Sequence, residues 1–437
     1  MSQAPQADRA GVLLTLGDTV EAPLVDVLLL DAQYRQALAC MRDYAAAGLR
    51  VGAAVCDSEA SWAPATRSRS CAVKATVPDF TDDEDAYLDA VLRLVKEWTP
   101  SLVVPAHDGS IHALRHRRTE IESQTAVALA DEDALTLAVS KSRTLELAAR
   151  LGLTVPRSIA VGEHDDVAAA LREVDLPAVV KPIESWVTRH GTGTRLSTQV
   201  VATIDEGLRS VEDAAAAGGQ VLIQEWLPGR REAVSLFYAE GRFWARMAQA
   251  SHRDWPVLGG VSVLCETIPL LPDIDTDARR LVEAMNLEGC SMVEFRRNRR
   301  GRPALMEVNP RMGGSVGLAI SAGIDFPLLL MAWKLGRRLE PVSSYRVGQR
   351  LRWLAGDIRH LTTVFDSQGR PDVPRRSRAL TRFLVDFAHP KTRLDVFERG
   401  DLRPGFSEMN RIVWHHAKRR ARRTAPLDWL ASTVQVY

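Results

Sequence analysis

A chain of 437 residues, 46% hydrophobic and 25% charged, has an ordinary globular composition and a length that suggests two to four domains. A formal net charge of +1 gives no global claim on nucleic acid, and five scattered cysteines without CxxC spacing (Cys40, Cys56, Cys71, Cys265, Cys290) argue against a disulfide framework and a zinc site. No apolar run approaches the roughly 20 residues of a membrane span. The N-terminus, with acidic residues close to its short apolar run, does not read as a signal peptide, so a cytoplasmic location is expected.

The first elements alternate. Val25 to Leu30 reads as a strand, Arg35 to Ala47 as a helix ending near Gly48, and Val51 to Val55 as a second strand. Asp82 to Glu97 is helical, Leu102 to Pro105 extended, and Ile111 to Glu122 helical. This alternation predicts a parallel sheet covered by helices over residues 20–120. No GxGxxG follows the first strand, so no dinucleotide site is read there.

From Asp131 to Leu151 the pattern is helical and contains Lys141. Strands are expected at Ser158 to Val161, Ala178 to Pro182 and Gln220 to Glu225. Between the last two, Glu184 to Thr194 is a polar loop with Thr188, Arg189, His190, Gly191 and Gly193, a composition whose backbone N–H groups suit phosphate. Lys181 ends an apolar strand and is held extended by the proline after it, with an ammonium suited to a phosphate oxygen. Gln224-Glu225-Trp226-Leu227-Pro228-Gly229 leaves a strand into a turn whose free backbone groups suit an adenine edge, with Trp226 or Leu227 against its face; an ordinary strand end with a core tryptophan reads the same way. Glu232 follows, an acid that suits ribose hydroxyls and equally a solvated surface position.

Two apolar runs then flank Asn298-Arg299-Arg300-Gly301-Arg302, the composition of a hairpin loop. A turn centred between Arg300 and Gly301 sets Glu294 opposite Glu307. Alternation puts Glu307, Asn309 and Arg311 of ALMEVNPR on one face. Like charges directly opposite on a sheet are destabilising, so the pair needs a local arginine or a divalent cation. Val316 to Ser321 is a helix whose N-terminal amides suit an anion.

Taken in this order, the helix lysine, the strand lysine before proline, the polar loop, QEWLPG, Glu232, Glu294 and EVNPR resemble the ATP-grasp superfamily over about residues 120–340. The resemblance is to carboxylate–amine ligases and to carbamoyl-phosphate-synthase-like domains. It implies a mixed α/β and α+β chain: an N-terminal parallel-sheet pre-ATP-grasp domain (20–120), a small lobe (121–235), a catalytic lobe with the metal site (236–344), and a basic C-terminal helical extension (345–437). It implies ATP with Mg2+, or Mn2+, as cofactors. Glu294, Glu307 and Asn309 match the metal ligands, Arg311 the phosphate-stabilising arginine, and Lys141 and Lys181 the phosphate lysines. Gln224, Glu225, Trp226 and Leu227 lie at the adenine hinge, and Glu232 matches the ribose acid. Ser251 to Gly260 resembles the segment that approaches the acyl group, with Arg253 available for a carboxylate and His252 as a candidate base. Two departures stand out: the phosphate loop has few glycines, and Ser140 stands where an acid often precedes the first lysine.

The implied activity phosphorylates a carboxylate and passes the acyl group to an amine, with small-molecule substrates and no specific nucleic acid. Carboxylation, stable phosphorylation, or an ATP-sensing or membrane-binding role without turnover are the competing readings. Beyond about Tyr345 basic residues exceed acidic ones by roughly ten. Ser407 to Arg423 reads as a helix with Met409, Ile412, Val413 and Trp414 near one side and a dense basic end, suited to an anionic membrane surface or a phosphorylated substrate. The sequence leaves the oligomeric state and the substrates' identity open.

Overall fold

The computed structural model describes residues 23–162, 166–189, 192–257, 259–367 and 373–423. His190, Gly191, Leu258, the first residues of the 20–120 unit and the end of the 345–437 segment therefore lie outside the described residues.

Strands β1 (Val27–Leu29), β2 (Val51–Cys56), β3 (Val73–Val77), β4 (Leu102–Val104) and β5 (Ala126–Val127) form a parallel sheet in the order β3-β2-β1-β4-β5. Strands β1, β2 and β4 are buried along their whole length, which is why they read as unbroken apolar runs rather than alternating ones. Helix α1 (Arg35–Ala46) packs Leu38, Met41 and Tyr44 with Val27 and Leu29, while α2 (Glu84–Trp98) packs Leu88 and Val91 with Leu28 and Leu30. The segment expected as one helix from Ile111 to Glu122 is α3 (Asp108–His116) followed by α4 (Arg118–Glu122). Strand order reverses between β1 and β4, so the loops carrying Asp31 and His107 meet at the switch point where open α/β sheets hold ligands.

The helix expected from Asp131 to Leu151 is two: α5 (Glu132–Val139) and α6 (Lys141–Arg150), separated by Ser140 in an extended conformation (φ −86°, ψ 108°). The break puts Lys141 at the first position of a helix rather than mid-helix. The small lobe follows with β6 (Ser158–Val161), α7 (Val167–Val174), β7 (Ala178–Pro182), β8 (Trp186–Arg189), β9 (Thr192–Arg195), β10 (Gln199–Val201), α8 (Ile204–Ala216) and β11 (Val221–Glu225). Its antiparallel sheet runs β10-β7-β11-β6. Helices α7 and α8 cover the face bearing Val180 and Ile223. Lys181, Leu222 and Gln224 are paired on the other face, where Leu222 joins the core shared with the large sheet. The stretch expected as a polar loop is largely the β8–β9 hairpin.

The large sheet comprises β12 (Arg231–Ala239), β13 (Arg242–Trp255), β14 (Val261–Ile268), β15 (Gly289–Arg297) and β16 (Pro303–Asn309). Helix α9 (Pro272–Met285) packs on the face bearing Val234, Leu236, Val293 and Phe295. Helices α10 (Val316–Ala322) and α11 (Phe326–Lys334) pack with Phe237, Ala239 and Met247 on the other face, in a core continuous with β1 and α1. β12 starts at Arg231, inside the range 121–235 given to the small lobe by sequence, so the lobes divide near Gly229.

The C-terminal segment is also more than a helical appendage. β17 (Arg350–Arg352) pairs with β14, and β18 (Thr392–Leu394) pairs with β17, extending the sheet to β16-β15-β12-β13-β14-β17-β18. Around these strands lie α12 (Leu354–Asp366), α13 (Arg376–Val385) and α14 (Arg403–Arg423). Ion pairs Arg35–Asp395 (2.7 Å), Arg42–Asp401 (2.9 Å) and Arg411–Glu59 (2.6 Å) fasten the segment to the N-terminal unit. Among the described residues no single helix is long and apolar enough to cross a membrane.

Candidate functional site

The β15–β16 hairpin turns on Asn298, whose side-chain oxygen accepts the backbone N–H groups of Arg300 (2.9 Å) and Arg302 (3.1 Å), with Gly301 at φ +76°. Arg297 lies opposite Pro303, one residue away from the centring expected from sequence. A bulge at Met306 then restores the register, so that Glu294 lies opposite Glu307 and Met292 opposite Asn309. The Met306 carbonyl accepts the Lys181 ammonium at 2.7 Å. One irregular residue thus both aligns the two carboxylates and anchors the small lobe's lysine over them.

Glu294 is buried, and Asn309 Nδ2 donates to its Oε1 at 3.2 Å. Burial raises the pKa of both acids, but the environment splits them. For Glu294 burial outweighs the Arg231 guanidinium and the value stays raised; for Glu307 the ammonium groups of Lys181 and Lys141 win and the value is lowered. Arg231 ion-pairs with Glu294 (2.6 Å) and Asp254 (3.1 Å) and supplies the local counter-charge. Strand pairing across β12–β15, which no local pattern shows, brings in Arg231.

Lys141 donates to Ser185 Oγ at 2.8 Å, and burial lowers its pKa. Burial also brings Lys181 down to about 8, against the pull of Glu307. Lys141, Glu307 and Asn309 line a cavity of about 50 Å3 together with Asp108, His112 and Trp186. At the other end of the cleft, Gln224 is fully buried, donating to Ser158 Oγ at 3.0 Å while its Oε1 has no partner, and the Trp226 indole N–H is also unpartnered. A buried acceptor and donor without partners fit the edge of a purine. The Leu227 carbonyl accepts from Arg296 at 2.9 Å, and the Glu225 side chain pairs with Arg157 at 3.3 Å. Facing carboxylates with an amide beside them form an oxygen-donor set suited to Mg2+, and two ammonium groups stand ready for the phosphates such an ion accompanies.

Three expectations change. Glu232 lies on the α9 face of the sheet, opposite to Glu294, and ion-pairs with Arg297 at 2.8 Å, so it does not share the face of the paired acids. Arg253 is not available to a substrate carboxylate: its guanidinium makes a two-pronged bond to Asp357 (2.7 Å on each prong) and pairs with Asp386. His252 bonds Glu266 at 2.7 Å, away from the paired acids. Arg311 bonds Asp108, the first residue of α3, through Nη2 at 2.9 Å, and that guanidinium overcomes burial to hold the Asp108 carboxyl well below the usual range.

Sequence reasoning also missed the switch point. Asp31 is buried, accepting from Ala106 N (2.9 Å) and Ser110 Oγ (2.5 Å), and burial brings its pKa up to about 6. The His107 Nδ1 accepts from Gly109 N at 3.1 Å, so the neutral ring carries its proton on Nε2, a buried donor without a partner. The Trp186 indole N–H, across from it at 6.2 Å between ring centroids, is likewise buried and unpartnered. The signal available was Asp and His immediately after two parallel strands.

Comparison with known proteins follows the same geometry. Residues 219–356 match the family described as ATP-grasp in the biosynthetic pathway with Ter operon. That stretch is similar to ATP-grasp proteins. The core of the chain is similar to the D-alanine–D-alanine ligase of Pseudomonas entomophila (27% identical over 211 residues, 45% of this chain and 63% of the ligase). It is also similar to the carbamoyl phosphate synthase large chain of Methanoculleus marisnigri (27% over 210 residues, 45% of this chain and 19% of that one). The ATP-grasp fold is shared with the Campylobacter jejuni biotin carboxylase solved as a β,γ-ATP complex, at a TM-score of 0.59 and 14% identity over 75% of this chain and 74% of the carboxylase. The chain thus spans less than two thirds of the D-alanine ligase it matches.

Proposed function

We propose that this protein is an ATP- and Mg2+-dependent, ADP-forming ligase that activates a small-molecule carboxylate as an acyl phosphate and transfers the acyl group to an amine. The observation that carries the reading is the facing pair Glu294–Glu307 with Asn309 beside it, overlooked by Lys181 on the bulge carbonyl and by Lys141. Glu294, Glu307 and Asn309 would hold Mg2+, which would supply positive charge against the nucleotide phosphates. Lys141 and Lys181 bind the phosphates; Gln224 and Trp226 meet the purine. Arg311, set by Asp108, faces the transferring group, and its role is electrostatic because a guanidinium does not act as a base at ordinary pH.

In the first step a carboxylate oxygen attacks the γ-phosphorus and the bond to the ADP oxygen breaks. In the second the amine nitrogen attacks the acyl carbon, phosphate leaves with the former carboxylate oxygen, and the amine loses a proton. The unpartnered donors His107, at the β1–β4 switch point, and Trp186, across from it on β8, favour the entry of an acceptor-rich substrate from the N-terminal unit. Five free thiols suit work in the reducing cytoplasm.

The test is ATP consumption across pooled carboxylic acids with hydroxylamine as surrogate amine. ADP release that needs an acid and yields a hydroxamate supports the reading; AMP release points to adenylation and overturns it. We also propose peripheral contact with anionic membranes through α13, which exposes Leu384 and Val385 beside the exposed Arg378 and Arg382.

A further inference from the structure

Away from the paired carboxylates, α3 carries two histidines one helical turn apart. His112 and His116 stand at i and i+4 and so share a face, with ring centroids 4.8 Å apart and planes at 81°. Helix α2 begins against that face with Glu84, whose Oε1 bonds His116 Nδ1. One ligand atom from each of the three side chains lies within 4.8 Å of the others. The second carboxylate oxygen of Glu84 is buried and has no partner.

We propose that Glu84, His112 and His116 bind a zinc-class divalent ion. Two imidazoles and a carboxylate select Zn2+ over Mg2+, since nitrogen donors suit the softer ion and oxygen donors the harder one. Tetrahedral Zn2+ with bonds of about 2.1 Å sets its ligand atoms roughly 3.4 Å apart, so modest side-chain rotation closes the observed spread. A fourth position opens toward solvent beside His116, whose side chain is 52% exposed, and takes water. Neighbouring cations are engaged elsewhere: Arg115 with Glu132, and Arg117 with Asp89 and Glu120. Burial lowers the pKa of His112, which keeps its ring in the neutral form that ligation requires. The cysteine spacing, which argued against zinc, has no bearing on a histidine–carboxylate set.

The ion ties α2 to α3. Because α3 begins at Asp108, which holds Arg311, and His112 shares the cavity wall with Lys141 and Glu307, the ion positions catalytic groups without touching them.

The test titrates Zn2+ into chelator-treated full-length protein against a chromophoric chelator, with melting temperature followed in parallel. The structure predicts one tight site per chain, a melting temperature raised by Zn2+, and affinity weakened about 100-fold or more in His116→Ala and Glu84→Gln. Both positions are at helix ends, and His116→Asn serves if the alanine variant folds poorly. Glu307→Gln, which alters the other metal face, retains the site, so failure here is distinguishable from failure of the ligase reading. Absence of stoichiometric zinc, equal affinity in the Glu84 and His116 variants, or loss of the site in Glu307→Gln overturns the proposal.

Discussion

Single residues here are tuned by what opposes them across the cleft. Lys181 has an ordinary value of 10.5 and is brought to about 8, chiefly by burial. Below pH 8 it is charged and available to phosphate; as pH rises through 8 in the free protein it loses its proton, well before an unperturbed lysine would. Binding of a Mg2+–ATP analogue should therefore weaken above pH 8, and Lys181→Arg should move that alkaline limb beyond the measurable range. Calorimetric titration from pH 6 to 10 measures it; an unchanged limb in Lys181→Arg removes Lys181 as its source. The acids of the hairpin were legible in sequence because alternation fixes their face from spacing alone. Glu232 was misread for the complementary reason: a shift of one residue moves a strand side chain to the opposite face, and the adjacent Arg230-Arg231 gave no local signal for the register.

Among the elements, the irregular ones position the chemistry. Ser140 splits a continuous helical pattern so that Lys141 opens α6, and the bulge at Met306 aligns Glu294 with Glu307. Neither break has a glycine or proline at its centre, and at each the backbone bonds the end of β7: Lys141 N donates to the Ile183 carbonyl at 2.9 Å, and the Met306 carbonyl accepts from Lys181 at 2.7 Å. The same holds for Arg253 on β13, which reads as a substrate-binding arginine until α12 brings Asp357 against it. Asp357 and Arg352 are fully buried and bonded at 2.6 Å, and Arg253 shares the same carboxylate. Asp357→Ala leaves two guanidinium groups without their main counter-charge, so it should cost about 3–5 kcal/mol of stability. Urea denaturation checks this; a loss below about 1 kcal/mol would show that Asp386 alone suffices.

At the scale of the whole molecule, the order of parts was legible because the parallel-strand alternation and the sequence of lysines, hinge and acids run in chain order. The C-terminal segment was not, since β17 and β18 are three residues each and gain their place only by pairing with β14 and with one another. Its basic charge is partly spent internally: Arg350, Arg352 and Arg411 all pair with acids. The outward apolar residues of α13 and the adjoining turn remain, with Leu384 58% and Phe387 52% exposed. Leu384→Glu should reduce co-sedimentation with phosphatidylserine vesicles while leaving ATP binding unchanged. Equal sedimentation of both proteins contradicts membrane contact through this face.

The face bearing Glu294, Glu307 and Asn309 is the proposed metal and phosphate platform. It is tested most directly, without knowing the substrate, by titrating a non-hydrolysable ATP analogue into wild-type and Glu307→Gln protein over a range of Mg2+ concentrations. Tight, Mg2+-dependent binding is expected of the wild type, with loss of that Mg2+ dependence in the variant. Equal affinity and equal Mg2+ dependence in both would contradict it.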